Sequence, residues 1–209
     1  VRLPLMQRQL DARAGLNTAG CISGYRGSPL GGLDQQLWRA QKFLSKQQIE
    51  FQAGVNEDLA ATVVWGSQQV NMYPDAKYDG VFGMWYGKGP GVDRSGDVFK
   101  HANHAGSSKH GGVLVLAGDD HSCKSSTLPH QTEYAFIDAQ IPVLNPSGVQ
   151  DILDFGIHGW AMSRYSGCWV AMKTIAETVE SSAAADVAPD RITPIIPDDF
   201  AMPEGGLHI

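Results

Sequence analysis

Residues 18–53 read TAGCISGYRGSPLGGLDQQLWRAQKFLSKQQIEFQA, with two short strand patterns on either side of one helix pattern. The strands cover residues 18–23 and 49–53. The helix between them, residues 33–46, has an apolar face that recurs at three- and four-residue steps through Leu33, Leu37, Ala40 and Leu44. A strand, a helix and a second strand in this order indicate a crossover unit, which joins parallel strands of one sheet.

The rest of the chain alternates in the same way. Further helices are predicted over residues 1–14, 57–72, 91–107 and 149–165, and further strands over residues 79–86, 113–117, 141–144 and 168–174. The strand at 113–117 is apolar throughout, which is typical of a strand covered on both faces. We therefore predict the α/β fold class, with a doubly wound, mostly parallel six-stranded sheet and helices on both faces.

The composition is that of an ordinary globular domain. The chain has 209 residues, of which 43% are apolar and 18% charged, with a net charge of -6. The sequence has no cluster of positive charge, so we do not expect nucleic acid as a partner. It also has no run of about 18 apolar residues, so we predict no membrane span. The three cysteines form no CxxC pair, so reduced thiols and a cytoplasmic location are expected. We predict one domain over residues 1–180 and a linker, or the start of a next segment, over 181–209, and we expect a fragment of a longer polypeptide.

The unusual sequences of the chain all follow predicted strands. They cover residues 24–32, 54–57, 85–97 and 118–133. Because ligands of open parallel sheets bind beyond the carboxyl ends of the strands, these four segments predict one shared site.

Glu57 is the first candidate of this site, and its position has two interpretations. It follows a strand and begins a helix, so it can be a proton-handling carboxylate in a cleft. It can equally be an acid of the first helical turn that complements the helix dipole, with Asn56 as the N-cap. Position alone favours the second interpretation.

Gly27, Ser28 and Lys88 are candidates for holding an anionic ligand. Backbone N–H groups near Gly27 and the hydroxyl of Ser28 lie where a helix begins, which suits an anion. Lys88 offers a positive charge to a substrate carboxylate. The alternatives are a plain turn capped by Ser28 and a solvated surface lysine. No spacing of histidines, cysteines and carboxylates predicts a metal site.

Four motifs in this order resemble a known family. They are GYRGSPLGGLD (24–34), GVNEDLA (54–60), GMWYGKGPGVD (83–93), and GDDH (118–121) with KSSTLPHQ (124–131). The chain resembles the N-terminal pyrimidine-binding domain of the thiamine-diphosphate-dependent 2-oxoacid:ferredoxin oxidoreductases, and most closely the fused-chain indolepyruvate type of bacteria.

The resemblance implies roles for individual residues. A glutamate at the position of Glu57 hydrogen-bonds N1′ of the aminopyrimidine and activates the cofactor. The resemblance further implies that the cofactor contacts Gly27, Ser28, Glu57 and Gln131. It implies that the substrate contacts Ser28, Lys88, Ser125 and Ser126.

The resemblance also implies parts that this sequence lacks. In the family a second domain holds the diphosphate and Mg²⁺, and iron–sulfur clusters carry the electrons, but the sequence has neither a Gly-Asp-Gly…Asn motif nor cluster cysteines. The implied reaction is oxidative decarboxylation of an aryl 2-oxoacid, indolepyruvate, with coenzyme A and ferredoxin as partners. We also expect a diphosphate-binding partner domain and a homo-oligomer. Pyruvate or a branched-chain acid as substrate, or a non-catalytic module that kept the fold, are the alternatives.

Overall fold

A computed structural model of the protein describes residues 1–188, 190–203 and 207. Its centre is a six-stranded sheet in the order β2-β1-β3-β4-β6-β5, with every pair of neighbouring strands parallel. The strands are β1 (Thr18–Gly24), β2 (Ile49–Ala53), β3 (Gly80–Lys88), β4 (Val113–Gly118), β5 (Val143–Leu144) and β6 (Val170–Lys173). The predicted doubly wound, six-stranded sheet is confirmed, and it is parallel throughout.

The described part of the chain has eight α-helices and one 3-10 turn, Val70–Met72. The helices are α1 (Arg2–Arg13), α2 (Leu33–Lys46), α3 (Glu57–Gln68), α4 (Gly89–Arg94), α5 (Gly96–Ala105), α6 (Glu133–Asp138), α7 (Val149–Ser166) and α8 (Ala176–Val179). The predicted bounds of α2 and β2 agree with the structure residue for residue.

The differences concern short elements. The predicted strand 79–86 ends two residues too early, because β3 continues to Lys88 and α4 begins at the next residue. The sequence also predicts no helix at α6 or α8, which are six and four residues long. Elements of so few turns carry too little periodicity to be detected.

Two apolar cores lie on the two faces of the sheet. One contains buried side chains of α1, α2 and α7, such as Met6, Leu37 and Trp160. The other contains side chains of α3, α5 and α6, such as Val64, Phe99 and Phe136. The helices therefore cover both faces and leave the two ends of the strands as the places where a ligand has access.

The segment after α8 has no regular structure in its described residues but packs back on the domain. Arg191 forms an ion pair with Asp154 of α7, and the Arg2 guanidinium donates to the Val187 carbonyl at 2.9 Å. The boundary placed at residue 180 stays a prediction, and its end at residue 209 lies outside the described residues. Over the part of the chain that the structure describes, no helix combines the length and the apolar character needed to cross a membrane.

Candidate functional site

The site is built at the carboxyl edge of the sheet, where the strand order reverses. From β1 the chain moves outward to β2, and β3 then starts the other half of the sheet on the opposite side of β1. The ends of β1 and β3 are adjacent, since Gly24 pairs with Tyr86. Such a reversal opens a crevice between the loops that follow the two strands, which is the usual ligand position in this architecture.

Glu57 begins α3 at this edge. The Asn56 side chain accepts a hydrogen bond from the Leu59 N–H at 2.9 Å, so the predicted N-cap is confirmed. The Glu57 carbonyl accepts from the Trp85 indole N–H at 3.0 Å, which ties the helix start to β3. The Glu57 side chain is half-buried, and its carboxylate forms no hydrogen bond or ion pair with the other described residues. Among the described residues the carboxylate is therefore free for the proton-handling role, which stays a prediction.

Gly91 of α4 provides the space that Glu57 occupies. A Cβ atom at Gly91 would lie 2.5 Å from Glu57 Cγ, closer than real Cβ atoms approach any neighbour, and 3.0 Å from Oε1. The glycine therefore forms a cradle for the glutamate side chain, and a larger residue there would displace the carboxylate.

Lys88 is the last residue of β3 and connects two loops. Its ammonium group donates to Ser126 Oγ at 3.0 Å and to the Ser125 carbonyl at 3.4 Å. Its alkyl chain runs along Gly27, where a Cβ would lie 2.7 Å from Lys88 Cδ. Lys88 is half-buried, so it is not the solvated surface lysine of the alternative interpretation. The predicted residues Gly27, Lys88, Ser125 and Ser126 are thus brought together.

A cleft of about 440 Å³ opens beside Lys88. Its walls come from the start of α4 and from the loop after β4, and the lining residues are Lys88, Pro90, Ser125, Ser126, Thr127, Leu128 and His130. His130 is the residue that sequence reasoning missed in this role. Its only signal was its place in the KSSTLPHQ motif.

Ser28 and Gln131 are less closely connected to this cleft. Ser28 is half-buried in the loop after β1, and Gly32, not Ser28, is the N-cap residue of α2, so the capping alternative is wrong. Gln131 is exposed and is not among the residues that line the cleft. Their proposed ligand contacts stay predictions.

Two aspartates organise the loop between β4 and α6. Asp119 is fully buried, and its carboxylate accepts from the Thr132 N–H and hydroxyl, both at 3.0 Å. Burial raises the pKa of Asp119, against the effect of those hydrogen bonds and of Lys173 at 3.9 Å. Lys173 also donates to Glu133 at 2.6 Å. These contacts join the ends of β4 and β6 to the start of α6.

The neighbouring aromatic residues Trp85 and Tyr86 do not line the cleft. Trp85 and Tyr86 have no exposed surface, and Trp85 packs edge-on against Phe99 at 4.9 Å between ring centroids. Burial and the nearby Asp34 carboxylate raise the pKa of Tyr86. Both rings therefore support the floor of the site, and they offer no wall for an aromatic substrate.

Comparison with curated proteins finds two relatives. The chain is 25% identical over 195 residues to the indolepyruvate oxidoreductase subunit IorA of Methanothermobacter marburgensis, which amounts to 93% of this chain and 29% of that protein. It is 26% identical over 174 residues to the subunit of the same name from Methanothermobacter thermautotrophicus, 83% of this chain and 26% of that protein. The chain thus spans less than a third of the length of these relatives. No protein-family model matches it.

Solved structures share the fold. The 2-oxoglutarate:ferredoxin oxidoreductase from Magnetococcus marinus, solved with 2-oxoglutarate, coenzyme A and succinyl-CoA bound, has a TM-score of 0.64 at 15% identity, over 94% of this chain and 33% of that one. The benzoylformate decarboxylase from Polynucleobacter necessarius has a TM-score of 0.55 at 12% identity, over 89% and 32%. The curated relatives bear out the resemblance that the motifs predict, and the solved structures bear out the fold.

Proposed function

We propose that this chain supplies the pyrimidine-binding half of a thiamine diphosphate site in a 2-oxoacid:ferredoxin oxidoreductase. The observation that carries the proposal is the half-buried carboxylate of Glu57, which has no protein partner among the described residues and occupies a cradle at Gly91. The names of the curated relatives and the shared fold support it.

The residues present fit the cofactor's aminopyrimidine. A half-buried carboxylate without a protein partner can accept a hydrogen bond from a protonated ring nitrogen. Such a bond stabilises it, because the carboxylate has lost part of its contact with water. Glu57 would hold that proton at N1′ of the ring. Thiamine diphosphate, when bound, supplies an electron sink for the charge that remains as CO2 departs. Loops around Gly27 and Ser28 border the same crevice.

The cleft beside Lys88 is our candidate for the substrate. A 2-oxoacid carries a carboxylate, and the Lys88 ammonium is a half-buried cation whose hydrogen bonds to Ser125 and Ser126 orient it at the cleft wall. We propose an aryl 2-oxoacid, indolepyruvate, after the relatives' names, with pyruvate or a branched-chain acid as the alternative substrate.

The remaining parts of the reaction belong to partners. We propose that a second domain holds the diphosphate and Mg²⁺, that iron–sulfur clusters pass the electrons to ferredoxin, and that coenzyme A accepts the acyl group. Val55 and Leu59, on either side of Glu57 in the chain, are 83% and 51% exposed, so they offer apolar surface that such a domain would cover. We further propose a cytoplasmic homo-oligomer.

Replacement of Glu57 in the holoenzyme that contains this chain tests the proposal. Glu57→Gln keeps the size of the side chain but cannot hold the proton, so we expect kcat to fall by about 10²- to 10⁴-fold. The matched control is Asp58→Asn, in the same helical turn, whose carboxylate pairs with Arg94 at 2.7 Å on the surface. Glu57→Gln turnover within about tenfold of wild type would reject the role and favour a non-catalytic module.

A further inference from the structure

Asp120 is the centre of the loop that forms one wall of the cleft. Its side chain is buried, with 4% of the residue exposed. One carboxylate oxygen accepts from the Lys124 N–H at 2.9 Å, and the other accepts from the Ser125 N–H at 2.8 Å and the Ser125 hydroxyl at 3.1 Å. The Asp120 carbonyl accepts from the N–H groups of Cys123 and His130, both at 3.2 Å.

These contacts tie both sides of the loop to a single residue. The carboxylate holds the backbone where the loop reaches Ser125, and the carbonyl holds it where the loop returns at His130. Between these points lies Ser126, whose hydroxyl accepts from Lys88. Hydrogen bonds from the N–H groups of Ser125 and Lys124 lower the pKa of Asp120, so the carboxylate is ionised at neutral pH and its hydrogen bonds are charge-assisted.

The domain does not depend on Asp120 for its packing. The hydrogen bonds of its side chain stay within residues 120–125, and the junction of this loop with α6 is held separately by Asp119 through Thr132. A change at Asp120 therefore alters the shape of the cleft wall while the sheet and its two cores stay intact.

We propose that Asp120 is a positioning residue for substrate binding: it sets the loop so that Ser125 and Ser126 aim the Lys88 ammonium at the carboxylate of an anionic substrate. The proposal rests on the proposed function, because it takes the cleft as the substrate site. Asp120 contacts no reacting atom, and it acts through the loop backbone.

The test compares Asp120→Asn with Asp151→Asn in the holoenzyme. Asp151, in the first turn of α7 and outside the cleft, is a matched control, since its carboxylate accepts from the N–H of Ser147 at 3.0 Å and also from the Ser147 hydroxyl. For Asp120→Asn we expect KM for the 2-oxoacid to rise on the order of tenfold with kcat nearly unchanged. The reason is the loss of the charge-assisted hydrogen bonds that hold the loop which orients the Lys88 ammonium. Asp151→Asn should leave both constants unchanged.

Two further measurements separate positioning from general damage. Hydrogen exchange should accelerate in residues 121–130 of Asp120→Asn and nowhere in the sheet. In a double-mutant cycle with Ser126→Ala, the two effects on KM should not multiply, because both act on the Lys88 ammonium.

The proposal is overturned if KM is unchanged, if kcat falls instead, or if the two KM effects multiply. These results do not depend on the role of Glu57. If Glu57→Gln abolishes turnover while Asp120→Asn leaves KM unchanged, only the positioning role fails. If Glu57→Gln is active, the proposed function fails first.

Discussion

Gly91 and Glu57 are in direct contact, although 34 positions separate them in the sequence. The glutamate begins α3 and the glycine lies in the first turn of α4, and the Trp85 indole, on the intervening strand, donates to the Glu57 carbonyl. The two helix starts are thereby held together around one carboxylate. A glycine is needed at position 91 because the Glu57 side chain occupies the space that any other side chain would fill.

Substitution of that glycine should displace the glutamate. In Gly91→Ala the new methyl group would overlap Glu57 Cγ, so we expect kcat of the holoenzyme to fall by about tenfold or more as the carboxylate leaves its position. The matched control is Gly66→Ala, within α3, where a Cβ meets no atom within 4 Å. The control should keep full activity and gain about 0.5–1 kcal/mol in the free energy of unfolding. Equal kcat in both variants would contradict the importance of the cradle.

Loss of the Lys88 charge should weaken substrate binding more than it slows chemistry. For Lys88→Met we expect KM for the 2-oxoacid to increase by about 10- to 100-fold, the equivalent of one hydrogen bond to a charged group. Steady-state kinetics at saturating coenzyme A measures the change. Lys100→Met, which removes a surface lysine paired with Asp138 on α6, is the control and should leave KM unaltered. An unchanged KM in Lys88→Met would place the substrate carboxylate elsewhere.

The buried ion pair between Asp11 and Arg164 should be a main determinant of stability. Both guanidinium nitrogens Nη1 and Nη2 donate to the Asp11 carboxylate, at 2.6 and 2.9 Å, and the Thr18 hydroxyl donates to it as well. Asp11→Asn would leave Arg164, whose side chain is 16% exposed, without its counter-charge, so we expect a loss of about 3 kcal/mol in the free energy of unfolding, measured with urea.

The control for that measurement is the exposed pair of Arg13 and Asp190, whose charged atoms are 4.0 Å apart. Asp190→Asn should change stability by less than about 1 kcal/mol, because water and salt screen an exposed pair. Similar losses in the free energy of unfolding for the two variants would show that the Asp11–Arg164 pair stabilises the fold no more than an exposed pair does.

Cys21 should react slowly with alkylating reagents in the folded protein. Burial on β1 raises the pKa of its thiol to about 11. Only the thiolate reacts, so about one thiol in a thousand is reactive at pH 8, and the rate should increase about tenfold for each pH unit up to about 11. Mass spectrometry of the Cys21 peptide after iodoacetamide treatment measures this rate. In denaturant the residue should react as an ordinary thiol, and a rate in the folded protein that levels off near pH 9 would refute the shift.

The sequence predicts most of the sheet because its strands and long helices carry strong periodic patterns. The helix α2 is an example: its apolar residues recur once per turn, and its predicted bounds are those observed. The short helix α6 has only one buried apolar side chain, Phe136, and so has no period to detect. The segment 85–97 has four glycines, which are typical of turns, but here Gly89 and Gly91 allow close contact with His130 and Glu57.

The sequence predicts which motifs contribute to the candidate site, but it does not predict which side chains contact one another there. Glu57, Lys88, Ser125 and Ser126 follow strands in the sequence, and the rule that strand ends share one edge brings them to the same side of the molecule. No local pattern indicates that His130 lines the cleft and that Gln131 does not. Nor does the sequence distinguish Asp119, which holds the junction with α6, from Asp120, which shapes the cleft wall.

The order of strands and helices, the two apolar faces and the presence of a carboxylate at a helix start follow from the sequence alone, because each depends on residues within a few turns of one another. The cradle at Gly91, the hydrogen bond between Lys88 and Ser126, and the reversal of strand order that opens the crevice required the tertiary structure. They depend on strand register and on loops that meet across tens of residues, and packing sets those distances.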